Sequence, residues 1–348
     1  GFNAVGGAAI GIGWPVGALF ALIVALAMAQ IASAYPTAGG LYHWSSTLGG
    51  RGWGWLPAWL NLLGLVTVLG AINVGTFYFF IGAFGTSLGW EPTFATQAAF
   101  VIGITAVQAL VNHVGIKLTA FLTDISGYLI FATAIGLTVS LLAYAPSFDF
   151  ARLFTFKNYS GDAGGGVWPA TQSMWMLFGL GLLLPIYTIT GFDASAHTAE
   201  ETVGASSAVP KGIVTSVLYS SLFGYLMLCA FVIAIPDMDK AAASGGGVFF
   251  GTMDAVLPAG LKAVLYWAIT ASQFLCGLAT VTSASRMVFA FARDGGLPAS
   301  NALKTVHATL KSPVAAIWTA CTIAVLFTLY TPAYTTIVSV TVIFIFIS

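Results

Sequence analysis

The chain has 348 residues, 58% of them hydrophobic and only 6% charged, with eleven basic and eleven acidic side chains and a mean hydropathy of +0.94. Soluble domains carry about 25% charged residues, so this composition excludes a water-solvated globule, and the neutral balance offers no electrostatic footprint for nucleic acid. Lipid must solvate most of the surface.

A membrane-crossing helix needs about 20 mainly apolar residues. Runs of that kind occupy 14–34, 54–85, 94–112, 118–145, 169–192, 212–235, 262–292, 314–330 and 334–348. Barrel strands would alternate over about 10 residues, and these unbroken runs are far longer. An all-α polytopic membrane protein is expected. No basic region precedes the first run, so a signal peptide is not expected. The last run is still apolar at Ser348, and the chain reads as a piece of a longer protein, cut at both ends. Cys229, Cys276 and Cys321 lie inside apolar runs without metal-like spacing and read as small buried hydrophobes. Neither a metal nor a cofactor is expected.

Basic residues concentrate in cytoplasmic loops. One alternate set of connections holds Arg51, Lys117, Lys211, Arg286, Arg293, Lys304 and Lys311, and the other Arg152, Lys157, Lys240 and Lys262. Loops 35–53, 113–117, 193–211 and 286–313 are therefore expected inside, in a plasma (cytoplasmic) membrane. Loops 86–93, 146–168 and 236–261 are expected outside. Gly164-Gly165-Gly166 and Gly245-Gly246-Gly247 read as outer flexible linkers, and 294–312 as an interfacial helix on the inner face.

Two runs, 54–85 and 262–292, are conspicuously long. Each follows a run of ordinary length and precedes two more. Five spans per half, an odd number, would set the halves upside down relative to each other, a signature of secondary transporters. The chain is expected to form a single transporter domain over 1–348, with the first repeat in residues 1–145, an outer loop in 146–168 and the second repeat in 169–348. In such folds the first helix of each half is broken near the midplane. The second-half copy carries Pro185, Thr188, Thr190 and Gly191 inside an apolar run. Small hydroxyl residues and glycine can line a cavity where helical bonding lapses. A continuous, proline-kinked helix is the competing expectation.

Three segments then resemble a known family. Tyr35-Pro36-Thr37-Ala38-Gly39-Gly40-Leu41-Tyr42-His43-Trp44 resembles the loop after the second helix of the amino acid–polyamine–organocation permeases. Thr190-Gly191-Phe192-Asp193-Ala194-Ser195-Ala196-His197-Thr198-Ala199-Glu200-Glu201 resembles their sixth helix and its exit. Ser285-Arg286-Met287 with Ala292-Arg293-Asp294-Gly295-Gly296-Leu297-Pro298 resembles the end of their eighth. Trp14-Pro15 and Trp59 to Gly64 are most similar to the amino acid–choline branch, which includes GABA and choline permeases. The resemblance implies a LeuT-like five-plus-five inverted-repeat fold, covered here from the end of the first helix to the start of the tenth. It implies a secondary active transporter that moves an amino acid or small amine by alternating access.

The same resemblance implies the site. A substrate carboxylate would meet backbone N–H groups near Gly1 and Phe2, and a cationic group the carbonyls over Tyr187, Thr188, Ile189 and Thr190. Tyr187 would be an aromatic gate and Gly191 the unwound glycine, followed by Phe192. Asp193 either caps the following helix or titrates during the cycle. Asn73 makes either a helix–helix hydrogen bond or a substrate contact, and Gln273 is treated alike. Thr282 and Ser283 are candidate cation ligands or bond their own helix backbone. Arg286 either snorkels or closes an inner gate by pairing with Asp193 or Glu200. Asp124 reads as solvated or capping. Proton-coupled relatives can place a lysine in the fifth helix, but 124–138 has none. The coupling ion, H+ or Na+, stays open.

An intramembrane enzyme is disfavoured because neither a zinc-protease spacing nor a glycine-flanked serine nucleophile is present. A channel would show charged rings or repeated pore signatures, and a non-transporting scaffold is the remaining alternative. The expected partners are a small-molecule amino acid or amine and the lipid bilayer.

Overall fold

The computed structural model describes residues 2–161 and 173–348. Among them the main helices are α1 (Gly13–Ala34), α2 (Arg51–Phe80), α3 (Phe94–Val114), α4 (Ile116–Ala143), α5 (Met174–Thr188), α6 (Ala205–Ala234), α7 (Ala259–Arg293), α8 (Val314–Tyr330) and α9 (Tyr334–Ile347). Six helical stretches among the described residues are long and apolar enough to cross a membrane, the longest being Arg51–Leu88 and Ala259–Arg293. Leu19, Ile23, Phe121, Val139 and Val264 lie exposed on such helices, as expected of side chains solvated by lipid.

Local chemistry sets the helix ends. The stretch containing α2 finishes in a π-helical turn, Ile81–Gly85, and stops at Gly89 with φ +65. A capping box between Thr93 and Thr96 starts α3. Gly115, at φ +133, separates α3 from α4. Segment 294–312 differs from expectation: only Ser300–Leu303 is helical there. Ala299 and Lys311 both take positive φ, which breaks the helical ladder on either side. Gly245–Gly247, expected as a linker, forms a 3₁₀ turn between helices Met238–Ala243 and Val248–Val256. Gly164 to Gly166 lie outside the described residues.

The chain divides into two compact units. The first comprises Gly1–Leu26, Ile130–Phe192 and Val214–Ile269. Here the amino-terminal turns Phe2–Val5 and Ala8–Gly11 lie against segment 150–159, with Lys157 N–H donating to the Val5 carbonyl and Ala8 N–H to that of Thr155. Glycine is required at the contact, since a Cβ on Gly7 would sit 1.9 Å from the Arg152 carbonyl oxygen. Ala4, Val5 and Ala9 pack on Leu177 at the start of α5. The Trp14 indole donates to the Ser221 carbonyl across a surface opened by Gly224.

The second unit comprises Ala27–Leu129, Asp193–Ile213 and Thr270–Ser348. Its core joins α2, α3, α7 and α8 through Ala58, Ala109, Ala284, Ala316, Ala320 and Ala324, with Leu62, Leu69, Met287 and Phe291 filling between them. Small residues let helices approach where no hydrophobic difference between protein and lipid drives them together. Cys321 is buried in this core, whereas Cys276 is exposed. A polar ladder crosses the core. Asn73 Nδ2 donates to Thr105 Oγ1 (2.8 Å) and Gln108 Oε1 (2.9 Å), and Gln108 Nε2 donates to Asn73 Oδ1 and the Phe274 carbonyl (both 3.1 Å). One turn on, Asn112 donates to the Leu278 carbonyl and accepts from Thr282 Oγ1. In lipid an unmet polar group costs several kcal/mol, so these side chains fix how α2, α3 and α7 meet.

Candidate functional site

Helix α5 has 15 residues, about 22 Å of helix, and is too short for a hydrocarbon core of about 30 Å. Pro185 brings no N–H to its last turns. The helix stops at Thr188, Ile189 leaves it at φ −96 and ψ 46, and Gly191 turns at φ +78. Helical structure resumes only at Ala194–His197. The discontinuity expected from the sequence is present, and the kinked continuous helix is not. Thr190 Oγ1 donates to the Tyr187 carbonyl at 2.7 Å, tying down the end of α5. Within the first unit, Ile189, Thr190, Gly191 and Phe192 line an open cleft with Ser216, Val217 and Ser220 of α6.

Gly1 lies outside the described residues. The Phe2–Val5 turn packs at the other end of α5: its Ala4 and Val5 touch Leu177, eleven residues before Thr188, about 16 Å away along the helix. The structure therefore does not bring Phe2 together with Tyr187, Thr188, Ile189 and Thr190.

The three family-like segments meet in the second unit. Glu200 accepts from the Ala38 N–H at 3.3 Å and from Arg293 Nη1 at 3.1 and 2.9 Å. Arg286, only 3% exposed, is held by both oxygens of Glu201 (3.1 and 3.3 Å) and by Ser285 Oγ. The Tyr42 hydroxyl donates to Asp294 Oδ2 at 2.7 Å. Burial, followed by that bond and the Asp294 charge, pushes the Tyr42 hydroxyl well above its ordinary value. The expected partner of Arg286 is thereby corrected. Glu200 is occupied by Arg293, and the next residue, Glu201, presents a fork that guanidinium matches with two parallel bonds.

Asp193 is buried and makes no side-chain capping bond; its Oδ2 faces His197 Nε2 at 3.3 Å, one helical turn away. Asn73 is wholly engaged between helices, Thr282 bonds Asn112 and its own backbone, and Ser283 bonds its own backbone. Asp124 is exposed, and Gln273 Oε1 is buried without a hydrogen-bond partner. Sequence reading passed over Asn61, Gln108, Asn112, His197, Glu201, Ser216 and Ser220. Two signals were available. Thr105, Gln108 and Asn112 form a polar stripe at helical spacing in an apolar helix, and Asp193 and His197 stand four apart.

A family model described as amino acid permease matches residues 1–348. Amino-acid permease BAT1 of Arabidopsis thaliana is 32% identical over 328 residues, covering 88% of this chain and 62% of the relative. The GABA-specific permease of Saccharomyces cerevisiae is 30% identical over 324 residues, 89% of this chain and 55% of its own length. A putative amino acid/polyamine transporter of Macrophomina phaseolina is 30% identical over 315 residues, 85% of this chain and 65% of its own. The chain thus spans roughly three fifths of the length of these curated relatives.

Proposed function

The chain belongs to the amino acid permease family of multi-pass membrane transporters, not enzymes, and on that premise we propose that it carries a small amino acid or amine across the membrane by alternating access. The observation that carries this reading is the interruption of α5 beside an open cleft. A backbone that leaves its helix inside an apolar protein exposes N–H and C=O groups that need polar partners, and such irregular backbone is tolerated only where it is buried in protein or lines a cavity. A bound zwitterion or amine would meet that need along Ile189, Thr190, Gly191 and Phe192, which line the cleft opposite Ser216, Val217 and Ser220. The names of the yeast and Macrophomina relatives make γ-aminobutyrate and polyamines the first probes after the common amino acids.

The five-plus-five arrangement, the assignment of residues 1–145 and 169–348 to the two repeats, and the placement of loops 35–53, 113–117, 193–211 and 286–313 in the cytoplasm belong to the same proposal. The two longest helical stretches, 38 and 35 residues, support it as counterparts in the two halves. Uptake of labelled amino acids, γ-aminobutyrate and choline into proteoliposomes, with sodium and proton gradients imposed separately, tests the reading. Saturable uptake of one probe supports it, and indifference to every probe by well-folded protein removes it.

A further inference from the structure

In the second unit, three buried polar side chains lie where the chain emerges from the α5 interruption. Asp193 is 7% exposed, His197 1% and Asn61 of α2 1%. His197 presents Nε2 to Asp193 Oδ2, which leaves Nδ1 buried and without a hydrogen-bond partner. Asn61 stands beside the Asp193 carboxylate, yet neither its Oδ1 nor its Nδ2 makes a full hydrogen bond. Buried polar atoms are paired in the great majority of cases, and each exception calls for an occupant. Here three such atoms lie around one acid–base pair.

The two acids that follow are each held by an arginine. Three and four residues past His197, Glu200 and Glu201 are held by Arg293 and Arg286. From α2 the neutral Asn61 contributes, and that helix's one charged residue, Arg51, lies ten residues earlier, about 15 Å along the helix. From the start of α6, Gly212 lies under Ser195, next to Lys211. From segment 35–44, Gly40 approaches Ala196, while its Tyr42 is bonded to Asp294. Asp193 is the carboxylate set against the His197 ring.

We propose that His197, oriented by Asp193, carries the coupling proton of this transporter and takes it up at Nδ1. The inference rests on the transport reading above. The chemistry follows from the geometry. A neutral imidazole facing a carboxylate keeps its hydrogen on Nε2 and a lone pair on Nδ1. One proton arriving at Nδ1 forms one N–H bond and breaks none within the protein. The imidazolium so formed is balanced by the Asp193 carboxylate, so the pair changes from net negative to neutral as it loads.

Two measurements test this. In lipid bilayers, ¹⁵N-histidine NMR follows the wild-type side chains, with His43→Gln, His113→Gln and His307→Gln variants assigning the other three signals. The expected result is an Nδ1 of His197 that passes from unprotonated to protonated as the pH is lowered; a His197 fixed in one state throughout overturns the proposal, and this readout needs no His197 variant to fold. In proteoliposomes, His197→Gln should lose proton-gradient-driven accumulation of the labelled amino acid or γ-aminobutyrate probe while retaining exchange of that probe at equal pH. Accumulation that survives, or accumulation and exchange that fall together, overturns it. Wild-type exchange with no response to a proton gradient overturns the inference alone. Wild-type protein that neither accumulates nor exchanges any probe overturns the transport reading and the inference with it.

Discussion

Gly277→Ala probes the polar ladder that holds the second unit together. A Cβ at Gly277 would stand 2.2 Å from Gln108 Nε2 and 3.0 Å from Asn73 Oδ1, so Gln108 must leave its place. That breaks its bonds to Asn73 and to the Phe274 carbonyl. Interhelical hydrogen bonds in membranes average about 0.6 kcal/mol each, with a maximum near 1.7, and overpacking adds about 1–3 kcal/mol. The better helix propensity of alanine returns about 1 kcal/mol. The net expected loss is about 2–4 kcal/mol, read as a fall of several degrees in the melting temperature of detergent-solubilised protein. Gln108→Ala makes room for the methyl group, so the double variant should lose markedly less than the two single losses together. A Gly277→Ala protein as stable as wild type, or strictly additive losses in the cycle, would refute the argument.

Three further outcomes are expected. Glu201→Gln leaves the buried Arg286 guanidinium with a neutral partner; because the Glu201 side chain is 36% exposed, the destabilisation should be about 2 kcal/mol, below the 3–5 of a fully buried pair, and pairing it with Arg286→Gln should recover some of the melting temperature. Gly191→Ala meets no atom within 4 Å but must hold φ +78, at about 1–2 kcal/mol; uptake should fall while expression and monodispersity persist, and unaltered uptake would show that the turn has no role in transport. Asp239 is held below its ordinary 3.8 by its hydrogen bonds from Lys157 and then Tyr159. Its contribution is present above that value and lost as pH falls through the lower folded value, so proteolytic nicking near 155–161 should rise only in strong acid, and Asp239→Asn should remove that acid dependence.

The membrane helices were legible because hydropathy is a sum over many residues, which no single contact overturns. The end of α5 was legible for a local reason: Pro185, Thr190 and Gly191 weaken one helical turn in an otherwise apolar run. The partner of Arg286 was not, because Glu200 and Glu201 are adjacent in sequence and only the direction of the chain after His197 decides which one faces which arginine. The path of the chain at Phe2 was not legible for a similar reason. Its distance from the α5 break depends on how the amino-terminal turns run along α5, and composition does not encode that path. Segment 294–312 shows helix-compatible spacing of Leu297, Leu303, Val306 and Leu310, but the left-handed Ala299 and Lys311 override it.

The central claim is that the backbone opened between Thr188 and Ala194 grips a small amine-bearing solute. Exchange of labelled substrate in proteoliposomes, comparing wild type with Gly191→Ala and with Thr190→Val, tests it most directly. The account predicts saturable exchange in the wild type and a raised half-saturation concentration in both variants at equal protein incorporation. Exchange whose half-saturation is identical in all three proteins would place the cargo elsewhere and contradict the account.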